Sequence, residues 1–570
     1  MDLVEVRRLT GANLHDRRPG AIAEVRFDDD EDREPAIAAW SAAIERGLAR
    51  LGWSATIHVR RFGSGRGADL MFTAEVDRLY AACDLAEWAL QPDPSDAGLA
   101  TIAEAASREQ AARQGCLALI ARAEAEGVPW LIDDDELSLG HGARAQTWPV
   151  GQLPGPDTLE WSGFGGPLPT ALITGTNGKT TSARLLARIV RHAGLHVGNT
   201  STDGVSVDER VIDEGDWTGP GGARMLLRRA DVEFAVLEVA RGGMLRRGLG
   251  VPRADAALIT NISHDHLGEY GIDTLDDLAA AKGVVTTVVA SSGRIVLGAE
   301  SAALVELARR RQFPAPIVWF AADPEHPVLV EHRARGGEVC TVIEGVVCFC
   351  RGEQVEPLLA VTDIPLTIAG RARHNVANVL GVVGLARALG LADAAIVAAL
   401  REFGADVADN PGRARAWALP LAGGEVSVVL DFAHNQAGLS SMAELIRGLG
   451  RSVLLSFGMA GDRSDEDLRT LGSALVWFEP RLVIVREQDD YLRGRERGEV
   501  PRLIHEGLAR AGHPSEAIRD AENEPEALGL ALAEAKPGEL ILALVHTDGE
   551  GVAAWLREVG ARPSSLLELA

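Results

Sequence analysis

From Leu168 onward, short apolar runs alternate with longer stretches whose apolar positions recur at helical spacing. "ALITG" (171–175) precedes "TTSARLLARIVRHAG" (180–194), and "FAVLEVA" (234–240), "AALITNI" (256–262) and "TLDDLAAAKGVV" (274–285) continue the series. Such alternation predicts a parallel sheet covered by helices on both faces. A Gly/Pro break, "DVADNPGRA" (406–414), precedes a second series: "VSVVLDF", "SMAELIRGLG", "SVLLSFG", "RLVIVRE", "ALGLALAEA" and "LILALVH". It predicts a doubly wound C-terminal sheet. Upstream, helical patterns such as "AIAAWSAAIERGLARLG" (36–52) and the Ala-rich stretch 101–127 alternate with short strand-like runs. "GQLPGPDTLEWSGFGGPLPT" (151–170) reads as a linker. The expected class is α/β, with a small N-terminal α/β domain over 1–165, a central domain with a parallel sheet over 166–410, and a doubly wound, Rossmann-like C-terminal domain over 411–570.

Composition narrows the chemistry. At 570 residues and 46% apolar content the chain suits several buried cores. Its formal charge of −25 and acidic runs at 28–32 and 133–136 argue against nucleic acid as a partner, because that binding depends on cations neutralising phosphates. No apolar stretch approaches the ~20 residues of a membrane span. The five cysteines are odd in number and mostly scattered, as expected in the reducing cytoplasm. Cys348 and Cys350 share one strand face at i, i+2 spacing, and packing explains them better than a metal site without further ligands. "GSGRG" (63–67) lacks a strand-to-helix setting and reads as a mobile loop.

The densest chemistry lies in "TGTNGKTT" (174–181). The usual phosphate-loop pattern needs a glycine at 173, where Ile173 stands, so the loop is short. Its parts nevertheless suit a polyphosphate. Gly175 and Gly178 let the amides of Thr176, Asn177 and their neighbours approach an anion, the following helix aims its positive end there, and Lys179 adds charge. Thr180, followed by Thr181, offers a hydroxyl to magnesium. Glu238 falls inside an apolar strand, where a carboxylate requires a metal, a hydrogen-bond partner or a structural salt bridge. In "TNISHDHLG" (260–268), His264, Asp265 and His266 lack the additional ligands of a zinc site; one histidine on a second divalent ion fits better.

These motifs carry a family resemblance. "TGTNGKTT", "LEVARGG", "NISHDHLG", Lys282, "GRARHNVANVLG" (370–381), "NPGR" (410–413) and "DFAHN" (431–435) occur in the order found in Mur ligases, ATP-dependent enzymes that form amide bonds. Within that superfamily the chain resembles the Mur-like portion of cyanophycin synthetase, through "TSTDGVSVDERVIDEGDWTGPGGARM" (200–225), "ARGGMLRRGLG" and "PLTIAGRARHN".

The resemblance implies ATP and two magnesium ions, with Thr180 and Glu238 on one ion and His266 and Lys282 on the other. Lys282 matches a lysine that many Mur ligases carbamylate. Asn375 would lie by the adenine, Arg413 by the γ phosphate and Asp431 by the ribose, with His434 and Asn435 near nucleotide or amine. Arg246 and Arg247 divide between a substrate carboxylate and a surface ion pair. The implied reaction activates a carboxylate as acyl phosphate and joins it to a small-molecule amino acid or amine; a homo-oligomer is expected. "RRLTGANLHDRRPG" (7–20) and "GVPWLIDDDELSLGHGARAQ" (127–146) resemble the start and exit of the relative's N-terminal domain, yet the phosphate loop follows too soon for an intervening ATP-grasp domain. A catalytically quiet ATP-binding accessory protein is the alternative, and the retained metal and γ-phosphate groups speak against it.

Overall fold

Four antiparallel strands, Asp2–Leu9, Gly20–Arg26, Ile57–Phe62 and Gly67–Thr73, form the N-terminal sheet in the order first, second, fourth, third. The computed structural model describes residues 1–28, 33–265, 267–406, 409–410, 414–546 and 549–569. Strand periodicity assigns the faces. Ala21, Ala23 and Val25 pack with Trp40, Ile44 and Leu85 of the covering helices Arg33–Leu51 and Leu79–Trp88. The opposite face carries a small apolar cluster, Leu9, Ile22 and Met71, beside polar residues that are not solvated: Arg7, Glu24 and Asp69 are 7%, 3% and 2% exposed. "GSGRG", expected to be a mobile loop, is a single 3-10 turn (Gly63–Gly65) closing a hairpin whose strands pair from Ile57 with Phe72 to Phe62 with Gly67. A three-stranded sheet, Trp130–Ile132, Glu136–Leu139 and Gln146–Pro149, follows.

The expected linker is a run of 3-10 turns rather than a loose tether. Its aromatic residues explain the difference. Phe164 is 5% exposed and packs edge-on against Trp148 and beside Trp161, so burial of large apolar rings overrides the local Gly/Pro signal.

The central sheet has eleven strands. From Val197–Ser201 through Phe234–Glu238, Thr170–Thr174, Ala254–Ile259, Val289–Gly298 and Ile317–Phe320 to Glu338–Ile343 they run parallel, as expected. Both edges differ from that expectation, each being an antiparallel hairpin extension. The turns account for it: Asp208 and Glu209, and Glu344 and Gly345, all have positive φ, the pairing that reverses a strand in two residues. Separate apolar cores cover the two faces. Cys348 and Cys350 are buried in one of them, and among the described residues no group of three or more His, Cys, Asp and Glu gathers as a metal site.

The C-terminal sheet has seven strands, parallel from Ile518–Ala521 to Gly424–Asp431, with Arg415–Leu421 and Arg562–Ser564 antiparallel at one edge. Cores on both faces make it doubly wound. No described helix is long and apolar enough to cross a membrane.

Candidate functional site

The buried strand Thr170–Thr174 lies between Phe234–Glu238 and Ala254–Ile259, with Ile173 in register with Glu238 and Leu258. The loop that leaves it is therefore flanked by two other strand ends, where open α/β sheets bind ligands. That loop is held from below by the segment 260–263. Thr260 Oγ1 and Asn261 Nδ2 both donate to Asn177 O (2.6 and 3.0 Å), and Asn261 O and Oδ1 accept from the amides of Thr176 and Asn177. The packing leaves no room for side chains at the two glycines: a Cβ would lie 1.8 Å from Thr260 Oγ1 at Gly175 and 2.1 Å from Asn378 Oδ1 at Gly178, both at positive φ. The helix Lys179–His192 then starts directly from Gly178.

Lys179 Nζ donates to Thr176 O at 2.9 Å, folding the side chain over its own loop. Thr180 is buried, with its hydroxyl 3.4 Å from that of Thr202, and Thr181 Oγ1 accepts from Asn410 Nδ2 at 3.1 Å. Glu238 is 1% exposed at the end of its strand. Lys282 ends the helix Leu275–Lys282, is 5% exposed and donates to Gly175 O at 2.8 Å. Burial, reinforced by the charge of Lys179, holds its ammonium well below the usual lysine range, while Asp265 and Glu238 act in the opposite sense. Lys179, Glu238, Asp265 and Lys282 thus share one electrostatic centre. His264 is exposed. His266 and Arg413 lie outside the described residues.

The C-terminal sheet faces this centre. Asp431 ends the strand Gly424–Asp431, and its two oxygens accept from the amides of Ala414 and Ala433, each at 2.8 Å. Asn435 and Asn177 exchange side-chain amide hydrogen bonds of 3.0 and 3.2 Å across the two sheets. Asp265 pairs with Arg463 at 3.2 Å and lies 3.8 Å from His434. Asn375 donates to Leu366 O and accepts from Asn378, so its amide is fixed by the helix Arg373–Ala388 and its approach.

Two cavities meet here. One, of about 1040 Å³, runs between the loop 176–181 and the C-terminal segments 414–416 and 431–434, with Asn375 on its wall. The other, of about 1500 Å³, lies across the loop and is lined by Thr202, Glu238, Arg241, Arg246, Asp265 and Lys282. Lys179, Thr180, Arg415, Asp431, Phe432 and His434 border both. Thr180 and Glu238 are hard oxygen donors, the kind magnesium takes beside phosphate and water, so the residues present fit that ion.

Several residues at the site carried no signal in the sequence. Glu5, Glu24 and Arg26 of the N-terminal sheet, which had shown no catalytic constellation, line the larger cavity. Arg463 and His546 come from segments that follow strands of the C-terminal sheet; burial pushes the His546 imidazole down to about 3 while its hydrogen bond to Ala433 O acts in the opposite sense, and its ring nitrogens lie 2.9 Å from Gly458 O and 3.1 Å from Ala433 O. Only the alternation of Glu24 and Arg26 with Ala23 and Val25 hinted that they share a face.

Residues 173–386 match the Mur ligase middle domain, and residues 414–544 match the Mur ligase, glutamate ligase domain. Cyanophycin synthetase of Geminocystis herdmanii is 34% identical over 375 residues, which are 66% of this chain and 42% of that protein. UDP-N-acetylmuramoylalanine--D-glutamate ligase of Chlorobium phaeobacteroides is 27% identical over 385 residues, 65% of this chain and 70% of that one. Among solved structures, Mycobacterium tuberculosis folylpolyglutamate synthase complexed with ADP and AMPPCP has a TM-score of 0.48 at 21% identity, covering 70% of this chain and 92% of that one. The chain spans less than half the length of the curated cyanophycin synthetases it matches.

Proposed function

The chain belongs to the Mur ligase superfamily, whose members are ATP-dependent ligases, and we propose that it joins a carboxylate acceptor to an amino acid or other small amine through an acyl phosphate. The observation that carries this reading is the position of Lys179 and Thr180 on the boundary between two cavities. A phosphoryl donor on one side and a carboxylate on the other meet at that boundary. The smaller cavity suits ATP in size, with Asn375 towards the base, Asp431 towards the ribose and the amides of 176–181 on the phosphates. His434 stands where nucleotide and amine approach each other. Arg413 is assigned to the γ phosphate.

Carboxylates do not react with amines at neutral pH because oxide is a poor leaving group. An acceptor oxygen attacks the γ phosphorus, ADP leaves, and the amine then displaces phosphate from the acyl carbon and loses its proton. Lys179 and the helix amides hold the charge on the transferring group. Magnesium, at Thr180 and Glu238 and at a second position served by His266 and, as its carbamate, Lys282, would neutralise phosphoryl oxygens. In the larger cavity Arg246 faces an acceptor carboxylate, and Asp203, Glu214 and Asp216 suit a cationic amine. The units 1–165, 166–410 and 411–570 divide this work between acceptor side, ATP site and closing domain.

A screen of amino acids and acidic peptides for ADP release, with product masses, tests the reading; ADP release indifferent to every acceptor and amine would sink it. Among the described residues one acyl-activating centre is assigned, and a backbone-lengthening step needs a differently aligned carboxylate. We therefore expect finite mass increments that match the acceptor's carboxylates. Open-ended growth from a short acceptor would show that one centre does both steps. A further expectation concerns Asp431→Asn, which keeps one acceptor oxygen for its two amide donors. It should raise the Michaelis constant for ATP with little change in turnover, because a ribose contact is made equally in ground and transition states. A fall in turnover at unchanged ATP Michaelis constant would contradict the ribose role.

A further inference from the structure

The N-terminal sheet grips the segment that connects Asp265 to Lys282, and its grip centres on Arg60. The guanidinium donates to Tyr270 O at 3.0 Å and to Gly271 O at 2.8 Å, and lies 3.5 Å from Asp277 Oδ1. Asp277 is the capping-box partner of Thr274, at the start of the helix whose last residue is Lys282. One side chain thus reaches both the tip of the loop and the root of the lysine helix.

Arg60 is itself held. Its Nε donates to Asp69 Oδ2 at 2.9 Å from the neighbouring strand, where the two residues are in register. Burial opposes ionisation of Asp69, yet its hydrogen bond with His15 and the Arg60 charge keep it below the usual carboxylate range. Around this pair, the Arg7 guanidinium stacks 4.7 Å from the Tyr270 ring centre, and the Phe62 ring lies against the Gly271 backbone. This contact explains why the polar face of the sheet is buried.

The gripped segment touches the ligase centre at three points. Asp265 pairs with Arg463 of the C-terminal sheet, Glu269 pairs with Arg241 beside the Glu238 strand, and Lys282 bonds the phosphate loop at Gly175 O. The ATP cavity, by contrast, is lined by no residue of the N-terminal sheet.

We infer that the N-terminal sheet is a clamp on the 267–282 segment, with Arg60 a positioning residue for the acceptor side of the ligase centre. The inference rests on the ligase reading for its kinetic consequence but not for the clamp itself. Arg60→Lys retains a cation beside Asp69, so the sheet keeps its buried pair, but loses the planar fork that reaches two carbonyls at once. Arg60→Ala removes both.

For each full-length variant, acceptor kinetics, ADP affinity and hydrogen exchange of amides 268–282 would be measured. The expected result is a fall on the order of tenfold or more in kcat/KM for the acceptor, with ADP affinity within about twofold of the parent protein. Faster exchange at Gly268 and Ile272, whose amides donate within the loop, should accompany it. A merely less stable protein would lower the active fraction without moving any Michaelis constant. Unchanged exchange and acceptor kinetics in Arg60→Ala would overturn the inference, as would loss of ADP affinity in step with activity. If the parent protein ligates nothing, the exchange measurement still decides on the clamp, and the failure belongs to the ligase reading.

Discussion

Lys179→Ala is expected to reduce ligation a hundredfold or more, on the order of what one group stabilising transition-state charge contributes. The fold should be unaffected. Lys179 is partly exposed and makes one hydrogen bond, to Thr176 O at 2.9 Å, and the loop beneath it is held independently by Thr260 and Asn261. Losses from such a position are typically within about 0.5 kcal/mol. Acceptor-dependent ADP release and a thermal melt on the same sample separate the two effects. Turnover within a few fold of the parent protein would remove Lys179 from the chemistry.

Glu238→Gln should be comparably severe for activity and mild for the fold. The substitution preserves volume in a strand that is buried throughout, but it replaces the carboxylate proposed to hold magnesium with a neutral amide that magnesium binds poorly. A fall of about a hundredfold is expected at fixed magnesium, comparable to loss of another transition-state charge partner. Excess magnesium should restore part of it. Lys282 should also respond, since Glu238 is one of the charges that oppose its neutralisation by burial. Full activity at limiting magnesium would show that Glu238 serves packing alone.

Most of the local structure around the phosphate loop was legible because its determinants are local. "TGTNGKTT" specifies a strand end, a turn that only glycine can make and a helix start, all within eight residues of chain. Glu238 was legible for a related reason: a carboxylate among apolar strand residues has few stable outcomes. The polar N-terminal strands were not, since Glu24, Asp69 and Arg60 alternate with apolar residues just as a solvated face would. The aromatic rings of the 151–170 stretch were outweighed in the sequence by its glycines and prolines, and only their packing partners reveal a structured connection.

The sequence by itself determined the α/β alternation, the phosphate loop and the order of the ligase motifs, because periodicity, glycine stereochemistry and charge are properties of neighbouring residues. The tertiary structure decided that two cavities meet at Lys179 and Thr180, that Asn177 pairs with Asn435, and that the N-terminal sheet lies against the Tyr270 loop. Those contacts join residues hundreds of positions apart, and each is stabilised by burial and by polar groups finding partners after the sheets have docked. Spacing along the chain carries no record of which surface will cover which.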